Sequence, residues 1–426
     1  MLLALMVASS AARAQVLRSA VNPAAAQGIV ACPSDIRLPQ AGGASLATAR
    51  APSTLDAGLG LALPSFVRAE FTSLLSPLRM AAFPVDPDPN AAAAGIEALY
   101  AGRTATEEPS AVLGGAFAAP AQVLKVGDKE YRVHPNVNLY VNPSPRCNAR
   151  CAFCIARSDV PIDRENNGKE YLRRFEASLK FLRKQGIDHT ALVLGGEPTI
   201  DRKLPMILDL LKRYKVRDPV ITTNGSYLKN WVREINDSTL AHINISRHHY
   251  LDAENRSIMG SKTAPTTKDL KEVLGRIDRR ISIRLNANLI KGGIDSAEGV
   301  TRFLDWAIDL GVAHIAFSQL ATLPEEGGLV AKSVVKYSSA HRVSIGPILD
   351  AIRRDQRFRR IKVASGSHYN YEVWTYKTSR GEATVVFKDI DMNKIDLDSS
   401  FIDDLIFHPN ATLGGSWNPK ERILLP

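Results

Sequence analysis

The sequence predicts an α/β fold built on a parallel sheet, with a poorly ordered N-terminal extension before it and a β-rich appendage after it. Three observations carry this reading. Apolar strand-like runs alternate with helical patterns from residue 136 to 322. Residues 1–120 are rich in Ala, Pro and Gly and poor in aromatics. After residue 323 the pattern shifts to alternating segments joined by turn residues.

Taken in order, residues 1–120 hold a linker-like Pro84-Val85-Asp86-Pro87-Asp88-Pro89-Asn90 and an alanine run, with short helices expected near 64–80 and 91–102. Residues 121–135 read as a lead-in hairpin, Val123–Val126 and Glu130–Val133 around Gly127-Asp128-Lys129. Within 136–322 the expected strands are 138–142, 190–194, 219–223, 242–246, 281–289 and 313–319. The expected helices are 168–185, 202–214, 228–236, 266–279 and 296–310. Leu172, Phe175, Leu179 and Phe181-Leu182 give the first helix an apolar face, and Asp295-Ser296 is placed to cap the last. Residues 323–426 form the appendage. It has a helix at 339–356, a basic cluster from Arg353 to Lys362, two strands at 369–376 and 382–388, and a hairpin at 405–413.

The net charge of +10 is unevenly spread: residues 1–124 carry 7 Arg against 8 Asp+Glu, and the remainder carries 47 Lys+Arg against 36 Asp+Glu. Such a basic domain suits an anionic substrate, a leader peptide or nucleic acid, or is a solvated basic surface. No run approaches the roughly 20 apolar residues of a membrane span, so no membrane partner is expected. Four cysteines, Cys32 and a triplet, are not a disulfide framework.

That triplet is the most informative feature. Cys147, Cys151 and Cys154 form C-x3-C-x2-C within eight residues, a spacing that gives three thiolates to three irons of a cubic cluster and leaves the fourth open. With a nearby histidine such as His134 the triplet also suits a structural zinc site. That alternative is a zinc-stabilised nucleic-acid or peptide-binding adaptor without catalysis.

The run Cys-x3-Cys-x-Phe-Cys after strand-like Asn138–Asn142, with Gly195-Gly196-Glu197-Pro198 about one βα unit later, resembles the signature of the radical S-adenosylmethionine (SAM) superfamily. The resemblance covers roughly residues 136–322. It implies a partial (β/α)6 barrel, a [4Fe–4S] cluster on the three cysteines, and SAM bound to the open iron. The implied reaction is reductive cleavage to a 5′-deoxyadenosyl radical that abstracts hydrogen from a small metabolite or peptide in a biosynthetic pathway. It also implies an electron donor such as flavodoxin or ferredoxin. A cytoplasmic location is expected: Met1–Gln15 faintly resembles an export signal but lacks a basic start, and an exported cluster of this type would meet oxygen.

Further site residues follow from strand ends, where ligands gather in parallel α/β folds. Gly195 and Gly196 allow close backbone approach to SAM, Glu197 brings negative charge, and Pro198 stiffens the turn. Asn224 ends the third strand. Ser246 is expected at ribose or carboxylate oxygens and Arg247 at the SAM carboxylate. His248 and His249 are the candidate catalytic pair. Asn286 and Asn288, which share one strand face with Arg284, are interior candidates for binding SAM or substrate, and Gln319 is a further candidate. Phe153 is read either as packing beside the adenine or cluster or as ordinary loop packing.

No cysteine follows Cys154, so the C-terminal auxiliary clusters of the SPASM group and of the molybdenum-cofactor cyclase are not expected. Trp417 stands where a SPASM cysteine would, and the chain ends Leu424-Leu425-Pro426 rather than in the cyclase's Gly-Gly. The expectation is therefore a single-cluster enzyme of the cyclase-like or SPASM-like branch.

Overall fold

The structure, a computed structural model, describes residues 121–157, 168–324, 330–365, 369–394 and 400–426. The expectations for residues 1–120, including both helices, lie outside the described residues.

Strand β1 (Gln122–Val126) turns at Gly127 into β2 (Lys129–Val141), so the expected hairpin and first parallel strand are one element. Pro135 does not break it because it sits where the ladder changes partners. Residues 129–133 pair with β1 and residues 137–141 pair with β3 (His189–Val193), so no bond to β1 or β3 is asked of the missing N–H. Strands β4 (Arg217–Thr223), β5 (His242–Ser246), β6 (Ser282–Leu289) and β7 (His314–Gln319) follow in parallel, each beside its predecessor.

Helices α1 (Gly168–Lys184), α2 (Leu204–Arg213), α3 (Val232–Asp237), α5 (Thr267–Leu274) and α6 (Ala297–Asp309) fall where helical periodicity places them. Ser296 caps α6 by accepting from Gly299 N–H, and Thr266 with Asp269 forms a capping box on α5. Helix α4 (Asp252–Met259) was not expected; it is short and ends on Gly260, whose φ of 56° is left-handed. The helix expected at 339–356 is instead two, α7 (Lys332–His341) and α8 (Ile345–Arg354), separated where Arg342 and Ser344 adopt extended backbone.

The tail does more than follow the sheet. Strand β10 (Gly381–Ile390) pairs parallel to β7, and β11 (Phe401–Phe407) pairs parallel to β2. Eight parallel strands therefore run β11-β2-β3-β4-β5-β6-β7-β10. Antiparallel β9 (Tyr369–Thr378) and β8 (Phe358–Ser365) extend one edge, and β12 (Leu413–Gly414) and β13 (Ile423–Leu425) the other. The basic cluster is divided between the end of α8 (Arg353, Arg354) and β8 (Arg359, Arg360, Lys362), with Arg357 just before the strand, and Arg360 lies over the Trp374 ring.

Strand side chains alternate between faces. Leu139, Val141, Ala191, Val193, Ile243, Ile245, Leu285, Ala287 and Phe317 join the helices in one buried core. Their neighbours on the same strands face a cavity. Phe407 of β11 belongs to the core and packs on Tyr171 and Phe175 of α1 at ring separations of 4.9 and 5.1 Å. Phe407→Ala is expected to lower unfolding stability by about 3–5 kcal/mol, read from the urea midpoint. A separately folding tail would leave the main transition unmoved.

Candidate functional site

The three thiols lie on the loop that leaves β2, Cys147 exposed and Cys151 and Cys154 partly buried. The Gly195-Gly196-Glu197-Pro198 loop leaves β3 beside it. Backbone bonds join the two, Gly196 N–H to Ser144 O at 3.0 Å and Glu197 N–H to Arg146 O at 2.7 Å. Gly195 has φ of 128°, and a Cβ on it would strike the Asn142 side chain. A Cβ on Gly196 would overlap the Arg146 carbonyl. Only glycine lets the loops approach this closely.

Glu197 is buried, and its carboxylate ties β3 to β4. Oε1 accepts from Thr199 N–H, Thr199 Oγ1 and Thr223 Oγ1, and Oε2 accepts from Asn224 N–H at 2.6 Å. Burial pushes its carboxyl up, and these donors pull it back. Asn224 in turn donates from Nδ2 to Asn148 Oδ1 at 2.8 Å and reaches Cys147 Sγ at 3.9 Å. The cysteine loop is thus held by both following strand ends.

One cavity is lined by all three cysteines, Gly195, Gly196, Glu197, Asn224, Ser246, His248, Asn286, Asn288 and Gln319. Sequence reasoning passed over Thr190, Thr222, His242, Asn244, Ser318 and Lys388, which line it too. Their signal was present: His242-x-Asn244-x-Ser246 repeats the period of Arg284-x-Asn286-x-Asn288, polar residues on alternate positions of apolar strands.

Three expected site residues point elsewhere. Arg247 does not line the cavity; it is 1% exposed. Its guanidinium donates to the carbonyls of His249, Pro265 and Tyr250 and to Asp252 Oδ1, and stacks over Trp306 at 4.9 Å. Alternation explains this, since Ser246 faces inward and the next residue must face out. His249 likewise leaves the cavity: Nδ1 accepts from Leu251 N–H and the ring stacks on Tyr250. Pro198 opens a short 3-10 turn, Pro198–Ile200, and is buried behind the loop. Gln319 lines the cavity, but its amide is committed to Asp389 Oδ1 and Ile345 N–H.

His248 is buried, and Nδ1 accepts from Asn288 N–H at 3.1 Å. Burial first, and the charge of Arg247 second, push its pKa down to about 4. Phe153 meets its ring edge-on at 4.8 Å and packs with Ile290 and Leu320, so this aromatic is shared between the cysteine loop and the β5 end.

The donor set was tested against the group that the spacing implies. Burial raises all three thiols, and burial with the neighbouring thiols takes Cys151 to about 12. Three thiols in one pocket therefore need a bound cation to ionise together. Among the described residues no three His, Cys, Asp or Glu side chains converge on a single-ion position. A cubic cluster asks for less, because each thiolate takes a different iron. His134, the candidate fourth zinc ligand, lies in β2 before the ladder to β3 begins and bonds Asp403 Oδ1 at 2.9 Å. The residues fit a cluster better than zinc.

A three-thiol loop opening onto the C-terminal ends of parallel strands is the layout of a cofactor-binding α/β enzyme. Residues 141–326 match the Radical SAM superfamily model, and proteins of that family bind a [4Fe–4S] cluster and SAM. The GTP 3′,8-cyclase of Nautilia profundicola is 29% identical over 240 residues, 54% of this chain and 68% of that protein. The GTP 3′,8-cyclase of Campylobacter jejuni is 30% identical over 155 residues, 35% of this chain and 45% of that protein. The alignment thus spans about two thirds of one relative and under half of the other. SuiB of Streptococcus suis aligns over 69% of this chain and 64% of its own at 15% identity, with a TM-score of 0.44. Among the described residues no helix is long and apolar enough to cross a membrane.

Gly196→Ala is expected to push the cysteine loop off the Gly195-Gly196 turn. Iron per chain after anaerobic reconstitution should fall by about tenfold, whereas a freely adaptable loop would leave it unchanged. Buried His248 and His408 and half-buried His314 set a pH dependence. His248, His314 and His408 are each held at about 4 in the folded chain, chiefly by burial. Unfolded histidines titrate near 6.5, so the unfolded chain binds more protons in between. Stability is expected to be full above about pH 6.5 and to fall as pH drops towards about 4. Urea midpoints across that window measure it, and the slope should shrink in His408→Gln.

Proposed function

We propose that the protein uses a [4Fe–4S] cluster on Cys147, Cys151 and Cys154 to cleave SAM reductively, and that the 5′-deoxyadenosyl radical so supplied abstracts hydrogen from a small metabolite or peptide in a biosynthetic pathway. The observation that carries this reading is a single cavity containing the three thiols, the Gly195-Gly196-Glu197 loop and the polar inner face of the sheet.

The chain's residues then divide the work. Gly195 and Gly196 bare their backbone to the cofactor's amino-acid end, and Glu197 holds that loop against β4. Asn224 and Ser246, at successive strand ends, offer hydrogen bonds to its polar groups. Phe153 and His248, packed edge-on against each other on the cavity wall, would help keep water from a reactive carbon. Asn286 and Asn288 project from β6 into the space left for substrate. The support for a small-molecule substrate is the likeness to proteins named GTP 3′,8-cyclase. A one-electron donor such as flavodoxin or ferredoxin would meet the loop where Cys147, Arg146 and Arg150 are exposed.

Anaerobic protein reconstituted with iron and sulfide, given SAM and dithionite, is expected to form 5′-deoxyadenosine, measured by mass spectrometry. Cys151→Ala should abolish both the iron–sulfur absorbance and the product. Wild-type protein that holds the cluster yet forms no 5′-deoxyadenosine would refute the proposal.

A further inference from the structure

The three thiols differ in the hydrogen bonds that reach them. Cys151 faces a carbonyl, and its thiol donates to Met259 O at 3.5 Å. Cys154 is approached by backbone N–H groups of its own loop, at Ala156 and Arg157. Cys147 accepts from Ala149 N–H at 3.4 Å, and Asn224 Nδ2, at the end of β4, lies 3.9 Å from the same sulfur. Among the described residues Asn224 is the one side chain that donates to any of these sulfurs.

The Asn224 amide is held in place by the protein alone. The residue is buried, and its backbone N–H donates to Glu197 Oε2. Oδ1 accepts from Ser226 N–H at 2.9 Å. That bond decides which way the amide faces, because an amide nitrogen in its place would meet another donor. Nδ2 is thereby turned to the cysteine loop with both its hydrogens. One goes to Asn148 Oδ1 at 2.8 Å, and Cys147 Sγ is the acceptor in reach of the other. Oδ1 keeps a second lone pair, so a bond to SAM remains open to this side chain.

We propose that Asn224 is a positioning residue for the cluster: it donates to Cys147 Sγ, favours added negative charge there, and so raises the reduction potential. The inference rests on the reading of the three cysteines as cluster ligands. Hydrogen bonds to the sulfurs are among the features that set such potentials, and partners behind the ligands tune the metal. Reduction adds one electron. A donor at the sulfur stabilises the more negative state, whereas a carboxylate in the same place opposes it. A higher potential leaves more of the cluster reduced at a given strength of electron donor, and reductive cleavage starts from the reduced cluster.

The test uses the full chain, reconstituted anaerobically with iron and sulfide and kept free of SAM. Dithionite titration with mediators, followed by electron paramagnetic resonance of the reduced cluster, gives the midpoint potential. At the potential where half of the wild-type cluster is reduced, the ratio of reduced to oxidised cluster should be about threefold lower in Asn224→Leu. In Asn224→Asp, which keeps the shape and places charge near the sulfur, it should be about tenfold lower. Asn148→Ala removes the other acceptor of the amide, yet should stay near wild type. Equal potentials in wild type and Asn224→Leu overturn the proposal. So does a shift in Asn148→Ala as large as that in Asn224→Leu, because loop support would then be the cause. Should Asn224→Leu take up no iron, Asn224→Ala carries the same prediction, and loss of iron from both overturns the tuning role. Wild-type protein without iron and labile sulfide would overturn the cluster reading and this inference with it; a cluster whose potential does not move overturns this inference alone.

Discussion

The site depends on one buried carboxylate. Glu197 gathers donors from its own loop and from the end of the neighbouring strand, while its backbone N–H is fastened to the loop that carries the thiols. Three segments far apart in sequence become one rigid corner. Without Glu197, buried donors on Thr223 and Asn224 would lose their acceptor, and unmade buried hydrogen bonds are costly. The two glycines before it matter for the same reason: they allow the backbone approach that the carboxylate then locks.

Around that corner, alternation along the strands separates two kinds of chemistry. One face of each strand is aliphatic and seals the helices to the sheet. The other is lined with amides, hydroxyls, histidines and two cations. A residue's role is decided by which side of this divide it occupies. Ser246 and Arg247 are neighbours in sequence, yet the first lines the cavity and the second braces the loop and helix that follow. His248 and His249 divide in the same way, one on the cavity wall and one stacked on Tyr250. Adjacent polar residues at a strand end look equivalent in sequence and cannot both face inward.

The tail takes part in this arrangement. β10 and β11 add a parallel strand at each edge of the six-strand core, and β10 brings Lys388 to the cavity. Trp417 packs on Tyr140 at 4.7 Å. Tyr140 itself lines the cavity, so an aromatic pair fills that part of the wall.

The amino-acid sequence by itself determined the βα alternation, the cysteine spacing and the glycine-rich turn, because each is a local pattern set by periodicity or by the special backbone of glycine. It also placed Asn224, Ser246, Asn286 and Asn288, whose positions follow from strand ends and the two-residue period. Tertiary structure decided the rest. The parallel pairing of β11 with β2 joins residues more than 250 positions apart, and no local signal encodes such a contact. The outward turn of Arg247, the splitting of the helix at Arg342–Ser344 and the arrival of Lys388 beside Ser318 likewise depend on what each segment meets after folding. Side-chain direction and long-range partners are properties of the packed molecule, and only packing reveals them.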